Sequence, residues 1–297
     1  MFFKKSRLRR KGRPLGIERL ETREVLAGNL AVDVTNGVLT IDGDNNDNTV
    51  QISYVNNNLQ VQGTGGFGTG SSITTINGLA QPFTRSVVLR QVVINLRDGS
   101  DSVIITNDAF RANIINATDH LIRNSDALQS STQATFGGSL DMNLGAGNDK
   151  ALLNVRFSSS IIINGGGGLD EISLQGSRAD TSIIIQDTTD AFPTEVYLYS
   201  VITDVLTINT GAGDDIVALR ADSDIRRNLN INTNAGADLV RLGSLAQNEP
   251  RLDLRANTVI NTAPLPVLTA ADGGDTVEFF FMAMTSTNAA ITLQTGL

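Results

Sequence analysis

Asn143-Leu144-Gly145-Ala146-Gly147-Asn148-Asp149 is followed 21 residues later by Asn164-Gly165-Gly166-Gly167-Gly168-Leu169-Asp170, and this pair of heptads sets the reading of the whole chain. The same turn returns as NLRDGSD at 95–101, NTGAGDD at 209–215 and NTNAGAD at 232–238, with weaker copies DGDNNDN at 42–48 and TAADGGD at 269–275. Its fifth position is Gly99, Gly147, Gly168, Gly213, Gly236 and Gly273, with Asn46 in the first copy. Gly and Asn tolerate a positive φ best, so the slot is expected to need a left-handed backbone. Each turn follows a short apolar run, such as Ile161 to Ile163, and leads into alternating apolar residues, such as Ile172 and Leu174 or Val217 and Leu219. That alternation is the period of a strand with one buried face.

Spacing turns the units into an architecture. The closing residues Asn48, Asp101, Asp149, Asp170, Asp215, Asp238 and Asp275 lie 53, 48, 21, 45, 23 and 37 residues apart. The short steps predict an all-β, right-handed parallel β-helix with coils of about 21–24 residues, because a fixed period of this size marks a solenoid. The 45- and 48-residue steps are then expected to hide coils without the acidic turn. Candidates are Ile183 to Ile185 with Val196 to Leu198, and Ile114-Ile115 with Leu121-Ile122. The 53- and 37-residue steps are expected to carry insertions. On this count only Asp149 with Asp170, and Asp215 with Asp238, stand on neighbouring coils. The first turn position, Asn in five of the seven copies, would stack into an amide ladder. A β-sandwich of hairpins is the competing fold, but it has no need of one constant turn at such intervals.

Composition agrees. Hydrophobic residues make up 40 % of the chain, Val, Ile and Leu dominate them, Trp is absent and there is no Cys, which excludes disulfides and thiolate metal sites. The charge is uneven. Residues 1–23 hold nine Lys or Arg and two Glu, which leaves fourteen basic and twenty-nine acidic residues in the remainder. A body so acidic repels phosphate and speaks against nucleic acid as a partner. No apolar run reaches the length of roughly 18–20 residues that a membrane helix needs.

The division expected is therefore a basic targeting leader over 1–28 and a repeat domain over 29–297. The leader has no continuous apolar core of the kind a conventional secretory signal carries, because Glu18, Arg19, Glu21, Arg23 and Glu24 interrupt it. Its Leu20-Glu21-Thr22-Arg23-Glu24-Val25-Leu26-Ala27 resembles the L-E-P-R-x-L-L segment of large planctomycete exported and surface proteins, with Thr22 in place of Pro and Val25 in place of Leu. The resemblance implies a secreted or cell-surface protein whose leader is an export tag.

The turns themselves resemble the G-G-x-G-x-D-x-φ-x repeats of the calcium-binding RTX family, most closely at Gly165 to Ile172 and Gly211 to Val217. That resemblance implies Ca²⁺ held by turn carboxylates and carbonyls. Here the motif occurs once per coil or less rather than every nine residues, so a full ligand set does not carry over. Stacked carboxylates about 5 Å apart repel by roughly 3 kcal/mol at an effective dielectric of 20, and a hard, oxygen-seeking ion relieves that repulsion. The candidate ligands are Asp149, Asp170, Asp215 and Asp238, with Asn148 and Asp214 beside them. The alternative is that the acids only cap the turns by accepting backbone N–H groups. Both readings stay open at this stage.

Catalytic material is scarce. The body has one Lys, Lys150, and the chain one His, His120 next to Asp119. With one His and no Cys, dyads and triads of the common kinds are nearly excluded. Arg220 and Arg241 each follow a marked turn and could bind a substrate carboxylate, although surface arginines in an acidic protein are expected to offset the acidic turns instead. The sequence thus points to a non-catalytic, exported structural or adhesive repeat protein with calcium ions and an extracellular glycan or surface protein as partners. A carbohydrate-active β-helix lyase or hydrolase is the alternative. Phe279-Phe280-Phe281-Met282 is read as an end cap.

Overall fold

The computed structural model describes residues 28–65, 73–106, 134–187, 191–220 and 223–243, and the backbone of five further strands between 252 and 294. The leader up to residue 27, His120, Ile114 to Ile122, Asp275 and Phe280-Phe281 lie outside the described residues. Among those that are described there are strands and turns and no helix, hence no helix long and apolar enough to cross a membrane. The chain is all-β.

The strands form one sixteen-stranded and one ten-stranded sheet, both mixed, and neither path closes on itself. Each marked turn among the described residues joins them. The strand leading into the turn belongs to the larger sheet, as with Ile161–Gly167, and the strand trailing out of it belongs to the smaller, as with Asp170–Gln175. Successive leading strands pair in parallel, and so do successive trailing strands. The register puts like residue on like residue. Leu39, Val92, Leu140, Ile161, Ile183, Leu206 and Leu229 form one aliphatic column behind the leading strands, all fully buried. Val50, Val103, Ala151, Ile172, Val196, Val217 and Val240 form its counterpart behind the trailing strands. A fully buried Val, Leu or Ile stabilises by about 1.5–3 kcal/mol, so these columns are the main source of cohesion.

A third series of short parallel pairings completes each unit, running from Ala134–Phe136 through Val155–Phe157 and Arg178–Ala179 to Ile202 and Asp224. Phe136 stacks on Phe157 at 4.7 Å between ring centroids, and Tyr54 stacks on Phe136 at 4.9 Å. This aromatic pile ties the ladder to the N-terminal region.

That region is built differently. Asn29–Thr35 pairs antiparallel with Val38–Asp42, and Thr49–Val55 antiparallel with Asn58–Gly63, which pairs in turn with Phe83–Ser86. Asn36-Gly37 and Asn56-Asn57 close the two hairpins, with φ of 53° and 80°, and 51° and 63°. Two central residues with positive φ are the pattern of a hairpin turn whose twist matches the flanking strands. The uniform parallel stack expected over 29–297 therefore does not hold at this end, because these Asn-rich turns reverse the chain. The second hairpin and Phe83–Ser86 lie within the 53-residue step.

The ladder also corrects the count of units. Ser102–Ile105 pairs directly with Lys150–Leu153, so the 48-residue step is a single unit with extra sequence, and no coil is stacked inside it. The 37-residue step is single too, since Leu239 stands opposite Thr276. Only the 45-residue step is double. Ser182–Gln186 and Thr194–Tyr199 fill it as expected, splitting it at Thr194.

Candidate functional site

The acidic turns lie one over another along the seam between the two sheets, and their closing residues point inward. Asp101, Asp149, Asp170, Asp215 and Asp238 are buried, and so is Asn48. Each of the five acids accepts through Oδ1 from the backbone of the preceding unit. Asp101 accepts from Asn48 N–H at 2.6 Å, Asp149 from Asp101 N–H at 2.6 Å and Asp170 from Asp149 N–H at 2.9 Å. Beyond the unmarked unit, Asp215 accepts from Thr194 N–H at 2.8 Å and Asp238 from Asp215 N–H at 2.9 Å. One repeated carboxylate thus staples each unit to the one before it.

The sixth turn position does the reverse on the outside. Asp47 Oδ1 accepts from Ser100 N–H at 2.8 Å, Asn148 Oδ1 from Leu169 N–H at 2.9 Å, and Asp214 Oδ1 from Ala237 N–H at 2.8 Å. All six candidate ligands are brought into this seam, and each accepts a backbone hydrogen bond from a neighbouring unit. Pairing the acids only as Asp149 with Asp170 and Asp215 with Asp238 was too narrow. Asp101 and Asn48 continue the column, because the 53- and 48-residue steps are both single units.

The fifth position explains why the turns can approach so closely. A Cβ on Gly147 would overlap the carbonyl oxygen of Gly99, one on Gly168 that of Gly147, and one on Gly236 that of Gly213. The expected positive φ is present at Gly99, Gly147, Gly168 and Gly236, between 121° and 144°. Gly213 has no such φ, yet a Cβ there would overlap the carbonyl oxygen of Phe192. Contact with the neighbouring unit, more than backbone strain, is what the five described glycines at this position share. The amide ladder forms over three of the five Asn, with Asn143 Nδ2 donating to Asn95 Oδ1 at 3.2 Å and Asn164 Nδ2 to Asn143 Oδ1 at 3.0 Å, whereas Asn232 Nδ2 donates to Asn234 Oδ1 of its own turn.

One buried acid was missed by sequence reasoning. Asp187 occupies the second turn position of the unmarked unit, where Thr194 stands in place of the closing acid, and the Thr194 hydroxyl donates to it. Acid and hydroxyl have changed places across the same turn. The available signal was Gln186-Asp187 directly after the Ile183 to Ile185 run, which matches the first and second turn positions rather than the seventh. A Cβ on Gly165 would lie 2.5 Å from Asp170 Oδ2 and 3.1 Å from Asp187 Cγ, so this glycine leaves the space that two carboxylates use.

Burial dominates the electrostatics of the column. It pushes the Asp101 carboxyl up to about 8, against the pull of the Asn48 N–H and with a further rise from the Asp149 charge. Burial likewise raises Asp149 to about 7, opposed by the Asp101 N–H and assisted by Asp187. Asp215 rises to about 7 from burial, with Thr210 and the Thr194 N–H favouring its charged form and Asp238 and Asp187 opposing it. The Oδ2 atoms of Asp149 and Asp215 have no partner in hydrogen-bond geometry, although Thr210 lies beside the latter. Among the described residues, no group of three His, Cys, Asp or Glu converges as a metal cluster would. Any ion would therefore need turn carbonyls as well as carboxylates.

The outward arginines do not form a matched pair. Arg241 stands opposite Ala218, two residues before Arg220. Lys150 pairs with Glu171 at 2.6 Å on the surface, an interaction of little energetic weight.

No family model, curated protein or solved structure matches the chain, so its function is argued from its own residues.

Proposed function

We propose that the chain is a right-handed parallel β-helix serving as a non-catalytic structural or adhesive module of an exported or cell-surface protein. The observation that carries this reading is the use made of the repeated acids. Each of the candidate ligands accepts a backbone N–H from a neighbouring unit, so the most regular polar feature of the sequence works in cohesion between units. Acids held in this way are poorly placed for general acid–base chemistry, which needs a carboxyl within reach of a substrate proton. The leader resemblance supports export, and an extended ladder supports a partner as repetitive as itself, an extracellular glycan or surface protein.

Calcium belongs to the same reading. The buried Oδ2 atoms of Asp149 and Asp215, beside Asp170 and Asp238, are the oxygens left for an ion, with Asn148 and Asp214 at the outer mouth of the turns. A divalent cation would replace the protons that burial otherwise favours on these acids. The test is thermal unfolding of the full chain in Ca²⁺ and then in chelator. A Tm raised by Ca²⁺ and lost in the Asp149→Asn, Asp215→Asn double variant supports the ion. An unchanged Tm removes calcium from the proposal and leaves the scaffold role to stand on the staples alone.

A further inference from the structure

A parallel ladder exposes a row of backbone N–H and C=O groups at each end, and such an edge is a template for another chain. At the N-terminal end that row is occupied by side chains. The outermost long strand of the larger sheet is Asn29–Thr35, which has Val38–Asp42 on one side and, among the described residues, only the two-residue strand Thr75–Ile76 on the other. Beyond that short pairing, Asn77 takes over. Its backbone N–H donates to Leu30 C=O at 2.8 Å, its Oδ1 accepts from Val32 N–H at 2.8 Å, and its Nδ2 donates to Val32 C=O at 3.0 Å. The carboxamide thus offers Val32 the donor and acceptor that a strand residue would offer. Arg85 Nη1 continues the row by donating to Val34 C=O at 3.0 Å. Asn77 is held in place by a tight turn, Ile76 to Leu79, in which Asn77 and Gly78 have φ of 52° and 75° and Asn29 Oδ1 accepts from Gly78 N–H. The smaller sheet ends on Phe83–Ser86, four residues long and carrying an exposed Thr84, Arg85 and Ser86, a short charged edge that resists pairing.

We propose that Asn77 and Arg85 form a latch that closes the N-terminal edge of the larger sheet to strand addition by a second copy of this chain. The latch keeps the ladder from extending between molecules at this end, and it stands independently of calcium and of the surface role. The experiment compares the full chain with the Asn77→Ala, Arg85→Ala double variant by sedimentation velocity over a concentration series, with circular dichroism to confirm the sheet signal. Two freed edges pair around a twofold axis, so the folded variant is expected to reach about twice the mass of the parent at equal concentration. Its Val32 amide is expected to exchange at least about tenfold faster when dilute. Arg85→Ala alone leaves the Asn77-Gly78 turn intact and is expected to shift the mass in the same direction at higher concentration, so it decides the matter where the double variant does not fold. Folded variants that sediment like the parent overturn the latch.

Discussion

The stacked turns from Asp101 to Asp238 and the hairpin region from Gly28 to Ser86 solve the same problem in opposite senses. In the first, a side-chain oxygen accepts the backbone N–H of the adjoining unit, and the next unit offers the same oxygen again. In the second, the Asn77 carboxamide satisfies both backbone groups of Val32, and the ladder stops there. Both replace a missing backbone partner by a short polar side chain, the use to which Asn and Asp are best suited. What differs is repetition. A staple that recurs at a constant register propagates the ladder, and one that occurs once on an antiparallel turn ends it.

The comparison breaks most easily at the glycines. Gly168→Val should be the most damaging change, costing about 3–5 kcal/mol in chemical denaturation, because the side chain meets a neighbouring carbonyl at a positive φ. The equivalent change at Gly78 in the N-terminal turn meets nothing within 4 Å and should cost only the strain of its φ, about 1 kcal/mol. If the two cost the same, close stacking is not what the repeat glycine serves.

Removing a staple comes next. Asp149→Ala leaves the Asp101 N–H buried without an acceptor and should cost about 2–3 kcal/mol. Asp149→Asn keeps an acceptor oxygen and sheds the charge, as Asn48 does at the head of the column, so it should be far milder. Equal losses from the two variants would mean that the charge, and not the hydrogen bond, matters at this position.

The pH dependence has a defined sign. Asp101, Asp149 and Asp215 ionise near 8, 7 and 7 in the folded chain and near the ordinary 3.8 when unfolded. The folded state therefore holds more protons across that interval, and its stability should decline as pH rises from about 4 to about 8. In chelator, Tm should fall by several degrees between pH 5 and pH 8, and Asp149→Asn with Asp215→Asn should flatten the slope. A Tm that climbs over this range would show that the column is already charge-compensated. The least effect belongs to the exposed amide ladder, where Asn143→Ala should cost about 0.5 kcal/mol or less in the same denaturation assay.

Much of the ladder was legible beforehand. The alternation after each turn identified the inward residues, and the unmarked unit at Ile183 and Val196 was found from spacing alone. The 48-residue step misled because a period carries no sign that distinguishes an insertion from a hidden unit. The hairpins were not legible from the acidic period, although Asn36-Gly37 is a strong turn dipeptide, because the turns that reverse the chain carry no closing acid. Asp187 stands outside the period as well, at the second turn position and not the seventh.

Local chemistry was written in the chain itself: strands where β-branched residues alternate, tight turns where Asn and Gly cluster, and an acid closing most repeats. Those properties depend on near neighbours, which sequence lists directly. Whether an acid faces water or the interior, and which backbone N–H it accepts, depended on residues 21 to 53 positions away. Only the stacked structure could decide that, because the partner is chosen by register between units and the burial by the sheets that close over the seam.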